Sequence, residues 1–86
     1  MWSIYVLKHE TTGGMYIGLT DDINRRLKEH NLGSQGATRR RSGKWTLVYR
    51  EQYLVKRDAV LRERRLKQHG RAKQELLKRI QLSLGD

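Results

Sequence analysis

The residues from Trp2 to Lys8 set the first condition on the fold. Ile4, Val6 and Leu7 surround Tyr5 with no glycine or proline inside the run, the pattern of a buried strand. Thr11-Thr12-Gly13-Gly14 follows as a turn and Met15 to Leu19 resumes the strand pattern, so the two runs predict a hairpin. Thr20, Asp21 and Asp22 then supply an N-cap and carboxylates that suit the positive end of a helix, predicting a helix from about Asp21 to His30. Asn31-Leu32-Gly33 ends it, and Leu32 to Lys44 reads as a Gly/Ser/Arg loop of the length associated with function or mobility. Trp45 to Tyr53 predicts a third strand. From Lys56 the spacing becomes helical, with a break at His69-Gly70 that divides Lys56–Gln68 from Arg71–Leu82. The order β-β-α-β-α-α is α+β, a three-stranded, mostly antiparallel sheet flanked by helices. Residues 1–82 are expected to form a single domain, with a frayed tail at 83–86.

Charge narrows the partners. The chain has 86 residues with 19 Lys and Arg against 9 Asp and Glu, a formal net charge of +10. Residues 1–31 are neutral, with four basic and four acidic groups, which leaves 15 basic and 5 acidic groups for residues 32–86, the whole of the excess. Such an asymmetry predicts a surface for a polyanion, and on charge alone DNA and RNA are both admissible. Arg39, Arg40, Arg41, Lys44, Arg62 and Lys67 are the candidate nucleic-acid contacts. No uncharged apolar run approaches the ~20 residues of a membrane helix, so a membrane is not an expected partner. No signal segment is expected at the start of the chain. The absence of cysteine excludes disulfides, thiolate metal sites and thiol catalysis, and it suits a reducing cytoplasm.

Several polar side chains fall on faces that should point inward. At 100° per residue Ile23, Leu27 and His30 share one stripe of the first helix with Arg26 on its edge, while Arg25 points away. In the next helix Val55, Ala59 and Leu66 form the apolar stripe, and Glu63 stands among them. A carboxylate there needs a cation, either an arginine or a metal ion, because burying it unpaired costs several kcal/mol in order of magnitude. Taken singly, His30 reads as a helix-end histidine and Tyr5 and Tyr16 as packing residues. Two tyrosines, an arginine, a histidine and a glutamate leaning toward one sheet, beside a basic surface, are instead the components of a phosphodiester hydrolase.

The spacing of these residues resembles the GIY-YIG nuclease domain over nearly the whole chain. Ser3-Ile4-Tyr5, Tyr16-Ile17-Gly18, Arg26 eight residues beyond that glycine, His30 four further on, and the Arg62-Glu63 helix carry the likeness, which is to the small stand-alone bacterial type. The resemblance implies a mixed sheet with flanking helices and hydrolysis of DNA phosphodiesters with one divalent metal, Mg²⁺ or Mn²⁺, with little sequence specificity. The DNA could be branched or damaged. In its terms Glu63 would be the metal ligand, Arg26 would hold the scissile phosphate, Tyr16 or Tyr5 would orient or deprotonate the attacking water, and His30 would assist. One glutamate is enough for Mg²⁺, which commonly takes one or two carboxylates plus phosphate oxygens and waters. Arginine stays protonated and donates two parallel hydrogen bonds to phosphate. The chain departs from the family pattern at Ser3, where a glycine stands, and at Leu19, where the repair branch has a lysine. No asparagine follows Glu63. The alternative reading is a basic nucleic-acid-binding module of the same fold, with Glu63 and Arg26 joined in a salt bridge.

Overall fold

The computed structural model describes residues 1–32 and 44–85. β1 (Trp2–His9) lies between β2 (Met15–Thr20) and β3 (Trp45–Tyr53) in a three-stranded sheet of order β2-β1-β3. The central place of β1 explains its composition: residues 3–7 are buried in succession, because both faces of the strand are covered. Tyr5 and Leu7 pack with Trp45 against Ile23 and Leu27 of α1 (Ile23–Asn31). Ile4 and Val6, on the other face, join Ile17, then Ala59 and Leu66 of α2 (Lys56–Gln68), Leu76 of α3 (Gly70–Arg79), and Ile80. Each such Ile, Val or Leu side chain contributes about 1.5–3 kcal/mol when fully buried.

Both strand pairings are antiparallel, so the sheet is not of the mixed kind that the family likeness implied. The reason is local. A five-residue connection reverses the chain between β1 and β2, with Gly13 at φ 71 where a side chain would be strained, and α1 carries it across one face to re-enter antiparallel to β1. Asn31 fastens that return: its Nδ2 donates to Trp45 O at 3.2 Å, and Trp45 N–H donates to its Oδ1 at 2.8 Å.

Helix boundaries follow the caps. Asp22, not Asp21, is the N-cap of α1, its Oδ1 accepting from Arg25 N–H at 3.1 Å, so the helix begins at Ile23. Val55 caps α2 and is 57% exposed, so the apolar stripe of that helix begins at Ala59 and not at Val55. Extended backbone at His69 separates α2 from α3. A 3-10 helix over Gln81–Leu84 follows α3, and Leu84 O accepts from Lys8 Nζ at 2.6 Å.

A bulge in β3 decides what faces what. Leu7 pairs with Leu47 but Val6 pairs with Tyr49, so Val48 is one residue too many for β1. Trp45 and Leu47 therefore lie on the α1 face, whereas Tyr49, Glu51 and Tyr53 are transferred to the α2 face. There the Glu51 carboxylate accepts from Tyr49 Oη at 2.8 Å, Tyr53 Oη at 2.6 Å, and Arg62 Nε and Nη2 at 2.9 and 2.8 Å. Burial by itself would raise the pKa of Glu51, but hydrogen bonds from Arg62, Tyr53 and Tyr49 outweigh it and hold the carboxyl at about 2. Tyr53 is pushed up to about 12, first by burial and then by its bond to that carboxylate.

A depressed carboxylate pKa stabilises the fold above its unfolded value and loses that effect as pH falls through the folded value. The window here runs from 4.5 down to about 2. Allowing for solvent screening of a half-buried group, the contribution is about 2 kcal/mol. Thermal denaturation between pH 7 and pH 2 is expected to show a melting temperature lower by roughly 10 °C at neutral pH for Glu51→Gln, with a shallower acid limb. Parallel acid limbs in the two proteins would remove Glu51 from this account.

Candidate active site

The hairpin and α1 bring four of the five proposed catalytic side chains together on one face. Tyr5 and Tyr16 project from neighbouring strands with ring centroids 6.2 Å apart, and His30 in the last turn of α1 lies 4.7 Å from Tyr16 and 5.9 Å from Tyr5. Tyr5 is wholly buried and its hydroxyl shares a hydrogen bond of 3.0 Å with His30 Nε2. Gly18 stands directly opposite Tyr5 in the β1–β2 register. A Cβ on Gly18 would fall 2.3 Å from the Tyr5 hydroxyl oxygen and 2.4 Å from Cζ, so the phenol occupies the space that a side chain there would take.

Arg26, half-buried on the edge of the α1 stripe, lies against the Tyr5 phenol and pairs with Glu29 at 3.1 Å. Arg25 points outward to Asp21 at 3.4 Å, the division expected of two adjacent helical residues. Burial raises the pKa of Tyr5, more than Arg26 lowers it. Burial likewise lowers that of His30, reinforced by the Arg26 charge against the opposing effect of Glu29. His30 is thus a neutral imidazole at pH 7, and Tyr5 a neutral phenol. Burial would lower the pKa of Arg26, but its bonds to Tyr5 and Glu29 raise it, so the guanidinium is a fixed charge.

Glu63 enters from α2. It lies close enough to Tyr5 to act on it electrostatically, its side chain is 23% exposed, and its Oε2 pairs with Lys67 Nζ at 3.2 Å. The cation that the sequence required beside this carboxylate is therefore a lysine one helical turn on, while Arg26 pairs with Glu29. Lys67 Nζ also stands 5.8 Å from the centroid of the Tyr16 ring, which links the α2 groups to the tyrosine cluster. Tyr16, Lys67 and Lys73 line one cleft with Met15, Ile17 and Leu66. Lys73 is a component that the sequence reading missed; only its position one turn into α3, beside the α2 break, could have placed it there.

No group of three or more His, Cys, Asp or Glu able to hold a metal occurs among the described residues. A half-buried lone carboxylate fits a hard divalent ion that takes its remaining oxygens from phosphate and water.

The expected nucleic-acid contacts divide. Arg39, Arg40 and Arg41 lie outside the described residues. Lys44 is exposed at the start of β3, with its N–H donating to Glu10 Oε1 at 3.0 Å. Lys67 borders the tyrosine cluster as described. Arg62 differs, because its Nε and Nη2 are engaged by Glu51 on the opposite flank of α2. Nothing in the sequence marks Glu51, because strict alternation along β3 places it on the other face. Among the described residues no helix is long and apolar enough to cross a membrane.

The family model for the GIY-YIG catalytic domain matches residues 1–76. A UPF0213 protein of Halobacterium salinarum is 38% identical over 77 residues, covering 90% of this chain and 99% of that one. A UPF0213 protein of Pectobacterium carotovorum is 34% identical over 76 residues, 88% of this chain and 76% of the relative. No solved structure matches the chain.

Proposed function

Because the chain belongs to the GIY-YIG catalytic domain family, a nuclease family that generally uses a divalent metal, we propose that it is a metal-dependent endonuclease hydrolysing DNA phosphodiester bonds with little sequence preference. The observation that carries this reading is the convergence of Tyr5, Tyr16, Arg26 and His30 on one face, with Glu63 brought beside them through Lys67. Glu63 would hold Mg²⁺ or Mn²⁺, and the bound ion would supply Lewis-acid stabilisation of charge on the phosphate. Arg26, a permanent cation, donates to the non-bridging oxygens as negative charge accumulates there. Tyr16, which is only half-buried, is the tyrosine that meets the attacking water, and wholly buried Tyr5 positions it by packing beneath it. Neutral His30 assists by holding Tyr5 in place. Lys67 and Lys73 border the path of the strand next to Tyr16. The lack of cysteine agrees with work in the cytoplasm.

One observation favours the binding-module reading: Lys67 satisfies Glu63 with an ion pair inside the chain. Incubation with supercoiled, linear and branched DNA in Mg²⁺, Mn²⁺ or EDTA separates the two. Metal-dependent cutting abolished by EDTA is the expected result. Binding to all three DNAs with no cutting of any of them would give the binding module the better claim.

The two tyrosines should also separate. Tyr16→Phe is expected to lower the cleavage rate about a hundredfold at unchanged melting temperature. Tyr5→Phe removes the buried bond between the Tyr5 hydroxyl and His30 Nε2 and is expected to cost about 1–2 kcal/mol of stability. Equal stability loss in both variants would refute the division of roles.

A further inference from the structure

The helical pair α2–α3 carries a second basic cleft on the flank of α2 away from Tyr5 and Tyr16. Arg62, Arg65 and Arg79 line it with Ala72, Leu76 and Glu75, around a volume of about 310 Å³. An adjoining hollow of about 390 Å³ shares Arg65, Ala72 and Glu75 and adds His69 and Arg71, so the two form one groove. At 100° per residue Arg65 is turned 200° from Glu63 about the α2 axis, which places the groove on the other side of the helix from the proposed catalytic groups.

Charge in this groove is arranged for an anion. Arg62 is held by Glu51 through Nε and Nη2, a fork whose partner is itself fixed by Tyr49 and Tyr53, and its Nη1 takes no part in those bonds. Arg79 stands near enough to Tyr49 to act on the phenol electrostatically. Glu75, the groove's own carboxylate, pairs with Arg71 at 3.3 Å. Arg65 and Arg79 have no carboxylate partner among the described residues. Two unneutralised guanidiniums beside a third, rigidly oriented one repel each other in the absence of an anion, and planar guanidinium forks match phosphate oxygens.

We propose that the α2–α3 groove binds a backbone phosphate of a nucleic-acid segment other than the one lying at Tyr16 and Glu63. The protein would then grip two arms of a branched DNA, one on each flank of α2. The proposal rests on the reading of the chain as a protein that acts on nucleic acid. The +10 net charge, concentrated in residues 32–86, supplies the long-range attraction that such a polyanion needs.

Fluorescence anisotropy with a labelled three-way DNA junction and a short duplex, in EDTA so that nothing is cut, tests it. Arg65 and Arg79 are exposed, so Arg65→Gln/Arg79→Gln should keep the fold, which its melting temperature checks. The double variant is expected to bind the junction about tenfold more weakly, with the slope of log K against log salt reduced by roughly 2. Binding of the short duplex should change much less. Arg57→Gln/Arg64→Gln, which removes the same charge from the exposed face of α2, is the control. Wild-type junction affinity in the groove variant, or an equal loss in the control, overturns the proposal. Cleavage plays no part in these readings, so a protein that grips the junction through the groove without cutting it would refute only the nuclease reading.

Discussion

Glu63→Gln is expected to reduce metal-dependent DNA cleavage by about a thousandfold or more while leaving the fold and DNA binding in place. The substitution keeps the shape of the side chain and removes its charge, and with it the anionic oxygen that a hard divalent ion selects. Loss of the Lewis acid amounts to several kcal/mol of transition-state stabilisation, and about 4 kcal/mol corresponds to a factor of 10³. Stability should move little. The Glu63–Lys67 contact is an i,i+4 pair with side chains 23% and 47% exposed, and such pairs contribute about 0.3–0.5 kcal/mol. DNA affinity in EDTA should be equal or slightly higher, because a negative charge has left a basic surface. Initial nicking rates of supercoiled DNA in saturating Mg²⁺, with melting curves of both proteins, decide the matter. A variant that nicks at the wild-type rate would remove Glu63 from the chemistry and with it the proposed metal ligand.

Gly18→Ala is expected to be the most destabilising single methyl addition on the tyrosine face. The new Cβ would fall 2.3 Å from the Tyr5 hydroxyl oxygen, 2.4 Å from Cζ and 2.8 Å from Cε1, so the ring must move as a whole. Tyr5 has nowhere to go: it is 0% exposed, bonded to His30, and enclosed by Tyr16 and the α1 face. Overpacking of this kind costs about 1–3 kcal/mol, to which the broken Tyr5–His30 bond adds about 1 kcal/mol. In a domain of this size the melting temperature should fall by roughly 10–20 °C. Activity measured well below the new transition should fall as well, since displacing Tyr5 displaces the packing under Tyr16. Joining Gly18→Ala with Tyr5→Leu should recover part of the stability and none of the activity. A single variant that melts with the wild type would show that the phenol does not need this space.

The order of elements was legible because each rests on neighbours in sequence. The Thr11–Gly14 turn, the acids before α1, the spacing of Ile23, Leu27 and His30, and the break at His69 are local, and β3 and α2 occupy their predicted residues. The pairing of Arg26 with the inward stripe and of Arg25 with solvent came from helical geometry alone. What sequence could not give were partners far apart in the chain. The partner of Arg62 is one of these, because Glu51 reaches it only through the bulge at Val48. Val55 looked like core because hydropathy does not reveal that the chain is still entering the helix there.

By itself the sequence determined the α+β order and the basic second half, since these depend on composition and short spacings. Tertiary structure decided that Tyr5 is buried and Tyr16 accessible, that Gly18 is the space for Tyr5, and that Lys67 is the cation beside Glu63. It also decided that Arg62 and Arg65 line a groove turned away from Tyr5 and Tyr16. The physical reason is that burial and ion pairing are set by strand register and by the rotation of α2 against the sheet, and one extra residue in β3 is enough to exchange the two faces.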